Sequence, residues 1–277
     1  MRSQRLQSGI PVALAWAATL LLHAAPLLRG AGSDELDDLL VQLKSAGNEK
    51  SARTIEERIR FAVKPGQTDR LLTALSAPHP RTTPLVLDLL ATRAAGPATV
   101  STLRKFLRPE PAWYAAGVLG ALSRLGDPAA LTEMTERADD GRLKPEDRAE
   151  YVTAIAILAV RGDDELRPGA WKVLGRLRVK EGLGAFLDGL TDPLEENRKA
   201  ALSGLQGTLG TLFPYLRFNF DAVNYKTDGG DAASRDKAAE SIRKWLPSLG
   251  IPKDVLKTLK VDRPPPTTQT RTGESSP

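Results

Sequence analysis

The chain has 277 residues, 41% of them apolar but only 5% aromatic, so its core must be built chiefly from Leu and Ala, side chains that suit close helix packing. It has no cysteine, which excludes disulfides, thiolate nucleophiles, iron–sulfur centres and Cys-based zinc sites, and its two histidines leave little material for acid–base catalysis. The formal charge of +5 is inflated by residues 1–32, which hold Arg2, Arg5 and Arg29 and no acid; the remaining 36 bases and 34 acids are interleaved, so nucleic acid is not the expected partner.

The N-terminus reads as an export signal. A short basic stretch, residues 1–7, precedes an uncharged and mostly apolar run over 10–22, followed by Pro26 and the small residues Gly30, Ala31 and Gly32. Cleavage is expected between Ala25 and Gly32, giving a signal peptide over 1–32. If uncleaved, residues 10–28 would serve as a membrane anchor, and in both cases the rest of the chain is exported to a periplasmic or extracellular location. A bacterial lipoprotein anchor is excluded by the lack of Cys.

From residue 33 to 262 apolar residues recur at spacings of three and four, the period of helices rather than strands. Three segments of eighteen residues, 109–126, 145–162 and 193–210, align without gaps, each opening with Pro and closing with Gly. Segment 80–96 is one residue shorter, and 231–250 has the same character without the opening proline. Proline favours the first helical turn and glycine the position past the last, so each segment predicts one bounded helix. Asp192-Pro193-Leu194-Glu195 adds a capping-box pattern. Mid-segment small residues (Gly117 and Gly120, Ala156 and Ala159, Ala201 and Gly204) suit close approach of a neighbouring helix. Shorter helical patterns fill the gaps, at 98–107, 128–138, 166–180 and 183–190. One long and one short helix per unit predicts an all-α fold, an α-solenoid of about five to six antiparallel helix pairs.

At Asp192-Pro193, Arg198, Ala200, Ala201, Leu205, Leu209 and Gly210 the chain resembles the HEAT repeats. The likeness extends over about residues 34–250 and looks most like exported bacterial HEAT-repeat proteins that end in a Trp-containing helix, here 233–246. It implies a curved scaffold that binds other macromolecules rather than an activity.

Candidate sites are few. Residues 218–231 form the longest stretch without periodicity, and Asp221, Asn224, Asp228 and Asp231 offer oxygen donors there, but their spacing misses the alternating register of an EF-hand and no metal is expected. The aromatics Tyr215, Phe218, Phe220 and Tyr225 make this region the first candidate for partner contact; packing of the same rings as core is the alternative. Lys172, Arg176 and Lys180, four apart on one predicted helix, form a basic stripe that could meet an acidic partner or phosphates, or be a solvated face. Trp113, Tyr151 and Trp245 read as packing residues and His79, between two prolines, as loop. Glu195 and Glu196 are adjacent and do not face a common point, which suits a helix N-terminus better than catalysis.

The expected function is therefore a non-enzymatic, exported protein–protein interaction scaffold with no cofactor. The alternatives are an exported enzyme or enzyme subunit using carboxylates of 218–231, and a binder of anionic surfaces or nucleic acid through the stripe at Lys172. The Pro-rich run 263–277 reads as a disordered tail.

Overall fold

The computed structural model describes residues 35–63, 67–93, 97–108, 111–218, 220, 225–228 and 231–259. The expected signal segment and the tail 263–277 lie outside the described residues. The described residues are helical and contain no strand. They fall into two compact units, Met1–Lys64 and Pro65–Pro277.

In the first unit, α1 (Glu35–Ser45) and α2 (Glu49–Ala62) pack together. Leu36, Leu39, Leu40 and Leu43 recur at helical spacing and are all buried, a gain of about 2 kcal/mol per side chain. Acids in the first turn of α1 and Lys44 in its last complement the helix dipole. Asn48 starts α2, its side-chain oxygen accepting the Ser51 N–H at 2.9 Å.

The second unit contains α3 (Thr68–Ala74), α4 (Thr83–Arg93), α5 (Pro97–Lys105), α6 (Ala112–Arg124), α7 (Ala130–Asp139), α8 (Pro145–Arg161), α9 (Leu166–Leu177), α10 (Leu183–Gly189), α11 (Glu195–Leu212) and α12 (Ala232–Trp245). Short 3-10 turns occupy Lys180–Gly182, Leu246–Leu249 and Lys253–Leu256. Helix α6 packs against α4 and α8, and the shorter α7 touches both α6 and α8. Helices α9 and α10 each pack against both α8 and α11. Helix α6 is buried on most of its surface through Tyr114, Ala115, Val118, Leu119 and Leu122, as is α8 through Tyr151, Val152, Ile155 and Leu158.

Two of the mid-helix glycines are there for contact. A Cβ at Gly117 would stand 3.0 Å from Leu87, and one at Gly204 would stand 2.1 Å from the ring of Phe186. At Gly189 it would stand 2.5 Å from Trp171, which stacks on Phe186 at 6.0 Å. Gly120, by contrast, faces open space.

The helix ends correct several expectations. Pro145 does open α8, but α6 begins at Ala112 with Pro111 as its cap, and α11 begins at Glu195, beyond Pro193. Gly126, at φ +82°, closes the segment of α6. Gly210 closes nothing: α11 continues to Leu212, and the stop comes from Pro214, which pushes Phe213 out of the helical region to φ −133°. The expected helix 166–180 ends at Leu177, because Arg178 adopts a left-handed conformation at φ 49°. No capping box forms at Asp192; its Oδ1 accepts the Leu194 N–H at 2.9 Å and the Asn197 amide at 3.2 Å, while Glu195 pairs with Lys199 at 2.6 Å.

The two Asp-Pro junctions share one construction. Asp127 accepts the N–H of Ala129, two residues on, at 3.0 Å, and a bidentate pair from Arg104 of α5 at 2.7 and 2.9 Å. Asp192 likewise holds Leu194 and accepts Arg167 of α9 at 3.1 Å. In both, a carboxylate fixes its own turn and binds an arginine from the helix before the one that leads into the junction, which couples a local turn to the packing of neighbouring helices.

Candidate partner-binding surface

The four aromatics of the region after α11 divide into two pairs. Tyr215 is 97% exposed, with Leu212 and Leu216 partly exposed beside it in sequence. Phe218 is half-buried and makes edge-to-face contacts with Phe213 at 6.3 Å and with Trp245 at 5.7 Å. Trp245, expected as a packing residue, is 44% exposed and joins this surface cluster across from α12.

Phe220 and Tyr225 are buried, which takes them off the surface. The Tyr225 hydroxyl donates to the Leu190 carbonyl at 2.7 Å, and burial pushes its pKa up to about 12. Arg198, the arginine of the HEAT-like pattern, donates to the Thr227 carbonyl at 2.8 Å and to the carbonyls of Asp192 and Pro193. These contacts tie the loop to α11 and to its Asp-Pro junction.

Of the four oxygen donors, only Asp228 and Asp231 are among the described residues. Asp231 is the N-cap of α12, accepting the Ser234 N–H and hydroxyl, both at 2.7 Å, and these bonds lower its pKa. Asp228 is exposed, and Asp221 and Asn224 lie outside the described residues. Among the described residues no group of three or more potential ligands is gathered. The basic stripe is also incomplete: Lys172 and Arg176 are exposed on α9, but Lys180 belongs to the following 3-10 turn. Tyr151 is buried beneath Arg137, whose guanidinium lies 5.7 Å from the ring centroid. The carbonyl of His79 receives the N–H groups of Thr82 and Thr83, which start α4.

An open cleft of about 390 Å³ is lined by Ala91, Arg124, Arg161, Gly162, Asp163 and Asp164. Its acids have structural tasks. Asp163 accepts the Leu166 N–H at 2.9 Å and Asp164 pairs with Arg167 at 2.9 Å, while Arg124 pairs with Asp88 of α4 at 2.7 Å.

A further cluster, which no local pattern in the sequence signals, gathers around Asp188 of α10. This carboxylate is buried and accepts Arg243 Nη2 of α12 at 2.7 Å, the Thr258 hydroxyl at 2.9 Å and the Leu259 N–H at 2.5 Å. Arg243 also donates to the Leu256 carbonyl, and Arg161 of α8 to the Leu259 carbonyl. Residues 256–259 thus bridge α8, α10 and α12. Comparison with family models, with curated proteins and with solved structures returned no match for this chain.

Proposed function

We propose that the chain is a non-enzymatic protein-binding scaffold, an exported α-solenoid of HEAT-like helix pairs. Three features support the architectural part: helices that pack mainly on near neighbours in sequence, two Asp-Pro junctions of one design, and glycines at points of closest helix approach. The observation that carries the functional part is the exposure of Leu212, Tyr215 and Leu216, large apolar side chains close together in sequence, together with exposed Trp245, which Phe218 links to Phe213 in the same stretch. Aromatic side chains of this kind supply much of the affinity in protein interfaces. The partner is accordingly another protein, met through an apolar and aromatic contact.

A photocrosslinking residue in place of Tyr215, in the full chain in its native host, should give a discrete protein adduct. The adduct should be lost when Leu216→Asp and Trp245→Ala are added, and should be absent when the crosslinker replaces Lys172. No adduct at position 215, together with a hydrolytic activity abolished by Asp228→Asn, would sink the scaffold in favour of an enzyme.

A further inference from the structure

Four charged side chains line the open cleft beside α4, α6 and α8, and among the described residues each is bonded through a single atom. Arg124 and Arg161 are the last residues of α6 and α8, helices that pack on one another. A basic residue in the last turn complements the helix dipole, which accounts for each charge by itself but not for their convergence on one cleft. Arg124 gives Nη1 to Asp88, while Arg161 uses Nε for the Leu259 carbonyl and, among the described residues, makes no ion pair. The two Nη groups of Arg161 remain, the edge that matches a carboxylate in a bidentate bond. Burial lowers the pKa of Arg161 and the Arg124 charge adds to this, with Asp88 and Asp188 acting in the opposite direction. Asp163 and Asp164 line the same cleft and are exposed. Their Oδ1 atoms accept the Leu166 N–H and Arg167, which fixes each carboxylate and leaves each Oδ2 as an acceptor.

From this we infer that the cleft binds a small zwitterion, an α-amino acid with a short polar side chain, its carboxylate held by Arg161 and Arg124 and its ammonium by Asp163 and Asp164. The positive and negative groups that line the cleft are equal in number. Phosphate would therefore meet two carboxylates and a simple cation two guanidiniums, whereas a ligand with both charges satisfies all four groups. The volume of about 390 Å³ lies near the lower bound of small-molecule sites, which suits a ligand of this size. Among the described lining residues Ala91 alone has an apolar side chain, so an aromatic or long aliphatic ligand finds little to bury against. The site goes beyond the scaffold reading and stands without it, since none of its residues belongs to the surface at Tyr215 and crosslinking there does not report on it.

The probes are three close analogues titrated into the full chain at low ionic strength: L-serine, which carries both charges, glycerate, which keeps the carboxylate alone, and serinol, which keeps the ammonium alone. Serine should bind one-to-one, and each of the others at least about tenfold more weakly. Arg161→Lys keeps a positive charge but loses the bidentate edge, so it should weaken serine about tenfold and remove most of its preference over serinol. Asp164→Asn keeps Oδ1 for Arg167 but removes the charge, so it should weaken serine about tenfold and remove most of its preference over glycerate. A lesion of the fold would weaken the probes together and leave both preferences as they were. The Asp164 side chain is 82% exposed, so its change leaves the core intact. No saturable binding of serine to the wild type, tighter binding of inorganic phosphate than of serine, or preferences unchanged in both variants would each overturn the site.

Discussion

Gly204 and Gly120 occupy mid-helix positions of α11 and α6 and predict opposite responses to the same substitution. A methyl group at Gly204 would stand 2.1 Å from Phe186, which is buried and stacked on Trp171. Gly204→Ala should therefore destabilise by about 1–3 kcal/mol through overpacking. At Gly120 a Cβ meets nothing within 4 Å, so Gly120→Ala should stabilise by up to about 1 kcal/mol through helix propensity. Urea midpoints at unchanged m-value measure both, and equal signs would contradict the packing around Phe186. Asp127 carries a pH dependence. Its hydrogen bond from Arg104, with smaller help from backbone N–H groups, lowers its pKa from the ordinary 3.8. A carboxylate with a lowered folded pKa contributes its full stability above the unfolded value and loses it as pH falls through the folded one. Stability should thus decline below about pH 4. Asp127→Asn should be less stable at pH 7 by about 2 kcal/mol and show a flatter profile across that acid range, as followed by urea titration.

At the scale of the helix, the cap on α2 gives the simplest test. Asn48→Ala removes the acceptor for the Ser51 N–H and should cost about 1 kcal/mol, read as faster amide exchange confined to the first unit. The helices themselves were legible where local chemistry decides. Helix α8 occupies the segment its proline and glycine bracket, because Pro145 fits the first turn and its buried residues follow helical spacing. The ends of α9 and α11 were not legible in the same way. Glycine permits a stop without requiring one, so α11 runs through Gly210 to the constraint imposed by Pro214, and α9 ends at Arg178, a residue type that carries no stop signal. The candidate surface was half legible. An aromatic-rich loop is the same string whether its rings point in or out, and Tyr225 is turned inward by a carbonyl 35 residues away at Leu190. The Asp188 cluster joins residues up to 98 positions apart, a distance over which no local pattern operates.

For the molecule as a whole, the two units predict unequal resistance to opening. The helices α6 and α8, packed on one another and on α7, should show the slowest hydrogen exchange, near the global unfolding limit, while the two helices of the first unit exchange through a smaller local opening. Uniform protection across both units would show them to be one cooperative body. If the proposed export is correct, the mature chain recovered from its native host should begin between Ala25 and Gly32 by intact mass, and recovery of a chain beginning at Met1 would leave the anchored form. The stacked pair at the centre of the second unit also gives the molecule an optical label of its own. The indole N–H of Trp171 is buried without a hydrogen-bond acceptor, whereas Trp245 stands 44% open to solvent. Trp171 should emit at the blue edge and resist acrylamide, and Trp245 should emit further red and be quenched. With Trp16 and the half-buried Trp113 replaced by Phe, collisional quenching of one unlabelled sample would then separate loosening of the core from covering of the surface: a ligand seated over Phe218 and Trp245 would protect the red component alone.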